Sequence, residues 1–364
     1  MKKIIIEARE SGTSTGRYLD KLIEYLHSLN PEYEIIILTR PQRVSFMEKI
    51  APNFMVVKST YKEFTFAEQL GFKRQIDSLG ADLVHFGLVQ QPILYKGKVV
   101  TTMHDLTTTW EKNPSKNPLI FWIKQKVYIW VNKKVAHKSE AIIVPSHFVK
   151  KDVVQFSGVS ASKITVTYES ADKIEEPAKK AGKVKSPFIM YVGRPMPHKN
   201  LERLIEAFVL LQEQHPNLQL VLAGRLDSNY NRIKTMVENR EISNIVFTDF
   251  VTEGQLKWLY QNCEAYIVPS LSEGFGLPGL EAMLHGAMVI SSDATCLPEI
   301  YGDAALYFYP YHTKTISDTI HEGLTNTSLR KKIIAEGREQ VKKYSWERMA
   351  QQTLELYKKV LGDT

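Results

Sequence analysis

Two glutamates with seven residues between them, Glu273 and Glu281, frame the segment Pro269-Ser270-Leu271-Ser272-Glu273-Gly274-Phe275-Gly276-Leu277-Pro278-Gly279-Leu280-Glu281-Ala282. Ionised carboxylates accept hydrogen bonds from hydroxyls, so a pair of them suits a polyhydroxylated ligand. Gly274 and Gly276 keep side chains away and leave backbone amides open to hydroxyls or to a phosphate. For Glu281 the competing reading is a buried, hydrogen-bonded acid of a helix. Upstream, Gly193-Arg194-Pro195-Met196-Pro197-His198-Lys199-Asn200 carries two permanent cations, Arg194 and Lys199, into the start of a helix that Asn200 would cap. A helix N-terminus favours an anion, and a diphosphate would fit there; a solvated basic loop is the plain alternative. His104 follows an apolar strand, where a functional loop should begin, and is either a ligand contact or a satisfied structural histidine. Asp105 is expected to orient that turn.

These residues need loops at strand ends, and the chain supplies them. Apolar runs at 2–8, 34–39, 54–58, 82–87, 98–103, 140–145 and 163–168 read as short strands, with a helix over 17–29 and helical patterns between several of them. Residues 172–187 are polar and charged with two prolines, which marks a linker. The alternation then restarts. Strands are expected at 188–192, 218–223, 244–248, 264–268 and 287–291, helices at 200–214, 229–240, 253–262 and after Gly276, and long helical patterns over 316–360. Two α/β domains in series follow, 1–171 and 188–343, with a last segment 344–364. Each should hold a mostly parallel sheet covered on both faces, and ligands should bind beyond the carboxyl ends of its strands, in a cleft between the domains.

At 364 residues and 43% hydrophobic, the chain can bury two cores, which excludes disorder as a description. The opening Met1-Lys2-Lys3-Ile4-Ile5-Ile6-Glu7 reads as a strand and not as a signal peptide. Two cysteines, Cys263 and Cys296, are too few for a disulfide framework, so a reducing, cytoplasmic setting is expected. The net charge of +7 lies wholly in residues 1–172, which carry 24 basic and 17 acidic groups. Its focus is 112–138, where seven lysines alternate with Trp122, Tyr128, Trp130 and aliphatic residues, and no acid falls between Glu111 and Glu140. That segment suits either an anionic membrane surface or a core-packed helix with a lysine face. Nucleic acid is excluded as a partner, since no recognition module accompanies the charge. No heptad run demands a partner chain, and the oligomeric state stays open.

The chain resembles the GT4-type retaining glycosyltransferases of the GT-B fold. The matching pieces are Gly16-Arg17-Tyr18, His104-Asp105, Val144-Pro145-Ser146, Tyr191-Val192-Gly193-Arg194 with Lys199-Asn200-Leu201, Leu222-Ala223-Gly224, Glu273-x7-Glu281, Ser291 to Asp293, Leu297-Pro298-Glu299 and Gly302-Asp303-Ala304-Ala305. The resemblance implies two facing Rossmann-like domains, a nucleotide-sugar site in the second, and a last helix returning to the first from Tyr344-Ser345-Trp346. It implies that Arg194 and Lys199 hold the donor diphosphate. Glu273 would meet the hexose hydroxyls, aided by the amides of Gly274, Phe275 and Gly276, while Glu281 accepts from the ribose. Asp249, Phe250 and Val251 would border the base, Leu277 would lie beneath the nucleotide, and His104 would approach the donor sugar. The opening loop departs from the family's glycine pair: Gly12 and Gly16 stand apart among hydroxyl residues, which bears on acceptor geometry more than on donor binding.

The implied reaction is metal-independent and needs no further cofactor. It moves a hexosyl group to a glycan or lipid-linked sugar acceptor, with the departing phosphate oxygen helping to deprotonate the acceptor. The overall pattern is nearest to bacterial mannosyl- and rhamnosyl-type transferases of surface-polysaccharide assembly, so GDP-mannose is the first-choice donor, with UDP-glucose and dTDP-rhamnose open. Peripheral contact with the inner face of the cell membrane would extend the cytoplasmic expectation. The rival readings are a nucleotide-sugar epimerase or sugar phosphorylase on the same two-domain plan, and a non-catalytic binding or membrane-scaffolding protein. A hydride-transfer enzyme is disfavoured, because the first loop lacks Gly-x-Gly-x-x-Gly.

Overall fold

The computed structural model describes residues 1–63, 65–110 and 118–363, so Lys112 and Lys116 of the basic segment lie outside the described residues. The chain forms two compact units, Met1–Glu169 with Ser345–Thr364, and Ser170–Tyr344.

The first unit holds seven parallel strands, β1 (Lys3–Glu7), β2 (Glu34–Thr39), β3 (Met55–Lys58), β4 (Leu83–Phe86), β5 (Val99–Thr102), β6 (Ala141–Val144) and β7 (Ile164–Val166), in the order β3-β2-β1-β4-β5-β6-β7. Its helices are α1 (Gly16–Ser28), α2 (Val44–Ile50), α3 (Lys73–Leu79), α4 (Thr107–Trp110), α5 (Pro118–Lys138) and α6 (His147–Ser157). β1, β4, β5 and β6 are buried on both faces, which is why they read as unbroken apolar runs and not as alternating patterns. One apolar cluster joins Ile5, Ile36, Phe72, Ile76, Val84 and Phe86. A second lies under α5 and α6 and includes Met103, Val135, Ile142, Val149 and Val153.

The second unit repeats the plan with β8 (Phe188–Val192), β9 (Gln219–Ala223), β10 (Ile245–Asp249), β11 (Ala265–Val268), β12 (Val289–Ser292) and β13 (Ala305–Phe308), in the order β10-β9-β8-β11-β12-β13. Helices α7 (Leu201–Gln212), α8 (Ser228–Asn239), α9 (Glu253–Asn262), α10 (Leu277–Leu284), α11 (Leu297–Tyr301), α12 (Thr313–Thr325) and α13 (Thr327–Gln340) cover it. Strand β13 was not expected; it pairs in parallel with β12 and closes one edge of the sheet. Residues 172–187 are tied to this unit. Glu176 accepts from the Gly254 amide at 3.1 Å, the Lys179 amide donates to the Gly254 carbonyl at 2.9 Å, and Ala181 and Val184 are buried. The last helix, α14 (Trp346–Leu361), packs on α1 within the first unit. The Tyr357 hydroxyl meets buried His85 of β4 at 2.5 Å, and Tyr33 donates to Asp363 at 2.8 Å.

In both sheets the order reverses direction beside the first strand, between β1 and β4 and between β8 and β11. Loops leaving adjacent strands at such a point diverge to opposite faces and open a crevice, so ligands of open parallel sheets bind there.

Candidate active site

In the second unit, the crevice between β8 and β11 is framed by residues 193–200 and 269–276. These loops are stitched backbone to backbone, the Leu271 amide donating to the His198 carbonyl at 2.7 Å. Asn200 stands at the N-cap position of α7 in the left-handed conformation, φ 59°. Its side chain does not fill the capping role expected of it; it donates to the carbonyls of Pro269 at 3.1 Å and Pro310 at 2.9 Å and so ties together three loops. Asparagine tolerates this backbone better than most residues, which lets one amide span the crevice floor.

Lys199 and Glu273 meet across the crevice. The ammonium donates to both carboxylate oxygens, at 2.7 and 2.8 Å, and Ser270 Oγ donates to Oε1 at 2.6 Å. The Glu273 amide itself donates to Thr295 Oγ1 at 3.1 Å. Burial alone would raise the Glu273 carboxyl, but Lys199 and Ser270 outweigh it and hold the group below the usual carboxylate range. An ionised acid is thus fixed in a mostly buried position, ready to accept from hydroxyls.

Just beyond, Gly276 takes φ +89° at the N-cap of α10. A Cβ there would lie 2.5 Å from the Tyr301 hydroxyl, which donates to the Gly276 carbonyl at 2.5 Å; no side chain fits. Leu277 opens α10, half-buried, and Gly274 precedes in the turn. The Phe275 ring is buried edge-on to Tyr344 at 5.5 Å. Glu281, one turn into α10, is buried and accepts from the Tyr260 hydroxyl at 3.1 Å. Tyr260 stacks on His285 at 5.6 Å, whose Nδ1 donates to the Glu281 carbonyl at 2.8 Å while Nε2 accepts from the Ile174 amide at 3.2 Å.

Arg194 follows a different course from the one expected. Its side chain, 70% exposed, donates through Nε to Asp227 Oδ2 at 2.8 Å, beside the N-terminus of α8 and not that of α7. Asp227 also caps α8, its Oδ1 accepting from the amides of Asn229 and Tyr230 at 2.9 and 3.1 Å. Its small burial would raise the carboxyl, but the Tyr230 amide and Arg194 pull it below the ordinary range. Arg194, Arg225, Leu226 and Asp227 line a cavity of about 510 Å³ beyond β8 and β9. Asp249 ends β10 at φ +60° and accepts from the Leu226 amide at 2.9 Å; the amides of Leu226 and Phe250 lower its carboxyl. Phe250 is 74% exposed and, with Val251, lines a second cavity of about 270 Å³ shared with residues 181–184.

In the first unit, His104 leaves β5 with both ring nitrogens engaged. Nδ1 lies 3.2 Å from Glu169 Oε1 and Nε2 lies 3.2 Å from the Gly87 carbonyl. The buried Tyr18 ring packs edge-on at 5.0 Å. Asp105 accepts from the Thr107 amide at 2.8 Å and starts α4. Gly12 donates its amide to Asp20 at 3.3 Å, and Arg43 grips both Ser11 and Asp20 at 2.8 and 3.0 Å. Gly16 begins α1 so close to the preceding turn that a Cβ would sit 1.7 Å from the Glu10 carbonyl oxygen. Among the described residues, no group of three or more His, Cys, Asp or Glu could hold a metal ion.

Residues 172–340 match the family Glycosyl transferases group 1, and residues 15–172 match Glycosyltransferase Family 4. The O-antigen chain mannosyltransferase B of Escherichia coli is 31% identical over 276 residues, covering 72% of this chain and 70% of that protein. The chain belongs to the group 1 and family 4 glycosyltransferases. The serotype-specific mannosyltransferase WbdA of Escherichia coli is 29% identical over 242 residues, or 62% of this chain; the match spans only 29% of WbdA's length. Sucrose-phosphate synthase from Thermosynechococcus elongatus superposes with a TM-score of 0.78 at 18% identity, covering all of both chains. The fold of this glycosyltransferase is therefore GT-B, built of two Rossmann-like α/β domains.

The structure of the glycosyltransferase brings Lys199, Glu273 and the N-terminus of α10 together in one unit, with Glu281 behind them. Arg194 pairs with Asp227 and takes no part in the Lys199–Glu273 ion pair. Five partners were missed in the sequence: Asp227, Ser270, Thr295, Tyr260 and Glu169. Asp227, Ser270, Thr295 and Glu169 carried a usable signal, since each follows a strand by a few residues, where site residues of parallel sheets collect.

Proposed function

We propose that this glycosyltransferase moves a hexosyl group, mannose in the first instance, from a nucleoside-diphosphate sugar to a hydroxyl of a glycan or lipid-linked sugar, with retention at the anomeric carbon. The observation that carries this reading is the Lys199–Glu273–Ser270 cluster at the sheet's switch point, directly before the N-terminus of α10. The anomeric carbon–oxygen bond to the β-phosphate breaks as a bond to the acceptor oxygen forms. The acceptor proton passes to the departing phosphate oxygen. Negative charge gathers on the diphosphate, where Lys199, Arg194 and the amides of 274–277 would stabilise it. Glu273 would hold the hexose hydroxyls and Glu281 the ribose, while Asp249, Phe250 and Val251 border the base. To His104 we assign the donor-sugar contact that the family resemblance implies. With these cations supplying the charge, the reaction runs without a metal.

GDP-mannose is favoured because the names of both curated relatives carry mannosyl transfer. UDP-glucose and dTDP-rhamnose are the competitors. We place the reaction in the cytoplasm, at its membrane boundary if the acceptor is lipid-linked; no helix among the described residues is long and apolar enough to cross a membrane. Calorimetric titration with GDP-mannose, UDP-glucose, UDP-GlcNAc and dTDP-rhamnose, each with and without EDTA, tests the donor. The expected result is one clear winner, GDP-mannose, unaffected by EDTA. Tighter binding of another donor would overturn the mannose assignment, and loss of binding in EDTA would overturn metal independence.

A further inference from the structure

Three of the five tryptophans in the chain stand at its surface within one stretch of sequence. Trp110, Trp122 and Trp130, with Ile123 and Val127, keep between 50% and 56% of their surface exposed. Burial of Trp is the norm, and a contiguous exposed apolar patch marks an interaction site. At 3.6 residues per turn, Trp122, Ile123, Val127 and Trp130 fall on one arc of α5, roughly 140° wide. Lys126, Lys133 and Lys134 share that arc, and Lys124 flanks it; all four are exposed. The opposite side of α5 is spoken for, since Val135 and Ala136 belong to the buried cluster with Val149 and Val153, and Tyr128 and Val131 pack against it. Trp110 sits on α4, which packs on α5. The Lys126 ammonium lies 5.8 Å from the centre of the Trp122 ring, so cation and aromatic ring are neighbours on the same face.

We infer that this face of α5 seats the first unit on an anionic lipid surface. Charge decides between occupants. No acid lies between Glu111 and Glu140, so every charge that α5 itself places on this face is a lysine. A second copy would meet it across a two-fold axis and set lysines against lysines. A bilayer surface rich in anionic headgroups offers the opposite charge in a plane. Indole rings partition to the headgroup level, and lysine stems lie along the apolar boundary with their ammonium groups at the phosphates. From Trp122 to Lys134 the row is about 18 Å long, enough for several headgroups. The inference concerns attachment and does not depend on which sugar is moved.

The test uses the full chain without donor or acceptor. Sedimentation with vesicles of phosphatidylcholine mixed with phosphatidylglycerol is compared with phosphatidylcholine alone, at about 0.1 M salt, where Debye screening still leaves surface attraction intact. Wild-type protein is expected to sediment with the anionic vesicles only, with a blue-shifted tryptophan emission. Replacing Lys124, Lys126, Lys133 and Lys134 with Gln should lower the partition constant by on the order of several hundred-fold, from roughly five-fold per lysine. Trp122→Ser with Trp130→Ser, both exposed and so tolerated by the fold, should lower it by on the order of ten-fold or more. Wild type that stays in the supernatant would overturn the inference, as would undiminished sedimentation of both variants. So would a wild-type dimer in analytical ultracentrifugation that Trp122→Ser and Trp130→Ser convert to monomer.

Discussion

Breaking the Lys199–Glu273 pair from one side should cost far more than removing it from both. The ammonium contacts both carboxylate oxygens, at 2.7 and 2.8 Å, and the two side chains are only 23% and 17% exposed. At about 3 Å and an effective dielectric constant near 20, the attraction is roughly 5–6 kcal/mol, and desolvation of the two ions cancels much of it. Lys199→Met leaves the Glu273 carboxylate in place with Ser270 as its remaining side-chain donor, and loss of one partner from a buried pair costs about 3–5 kcal/mol. Residual exposure puts this case near the lower end, about 3 kcal/mol. Glu273→Gln alone is milder, since the amide keeps a carbonyl oxygen for Lys199. The double variant removes the stranded charge, so the cycle should return a coupling of about 2 kcal/mol. Urea unfolding by circular dichroism measures the losses, and peptide-resolved hydrogen exchange over 265–285 assigns them to the second unit. The pH dependence checks the sign. Because the native carboxyl is lowered, the pair's contribution is complete above the ordinary carboxylate value and disappears as pH falls through the lowered native one. Lys199→Met should flatten that acid limb. Additive single-variant losses, or an unchanged acid limb, would refute the claim that the pair is coupled and buried.

Two further outcomes follow from contacts elsewhere. Gly16→Ala must displace the Glu10 carbonyl, since its Cβ would lie 1.7 Å away, and is expected to lower the stability of the first unit by about 2–4 kcal/mol in thermal or urea unfolding; a loss below about 0.5 kcal/mol would show the turn to be pliable. Glu281→Ala should weaken nucleoside-diphosphate binding by about ten- to a hundred-fold in calorimetry, whereas Glu273→Ala should act mainly on transfer rate, and equal effects on both quantities in both variants would sink the division of roles.

Much of this fold is legible because both sheets are parallel and buried. β2 and β8 fall on the runs 34–39 and 188–192 that the sequence marks, since strands covered on both faces must be continuously apolar. β13 is harder to see. It is four residues long and follows α11 after a single turn, Gly302–Ala304, so no full crossover helix separates it in the alternation. The site divides in the same way. Glu273 and Lys199 announce themselves by glycine-rich and basic loops after strands. Their meeting depends on β8 lying beside β11, which is a matter of strand order and not of local pattern. The same holds for Arg194 and Asp227, brought together because β8 neighbours β9, and for Tyr260 with Glu281, whose helices flank β11. Residue type predicts what a side chain can do. Topology decides which partner it finds.

The two cations assigned to the diphosphate differ in how they are held, and this sets what each can do when an anion arrives. Arg194 makes one exposed ion pair, of a kind that contributes about 0–1 kcal/mol. A phosphate can take it from Asp227 at almost no cost, and Asp227 keeps its charge satisfied by the amides at the start of α8. Lys199 is locked between both oxygens of Glu273, and the loops carrying the pair are bonded to each other. Pulling it away would strand a buried carboxylate, so the ligand must come to Lys199. If both cations meet the diphosphate as proposed, the held lysine would set where the phosphate sits, and the loosely paired arginine would be the one able to turn toward charge developing on the leaving group.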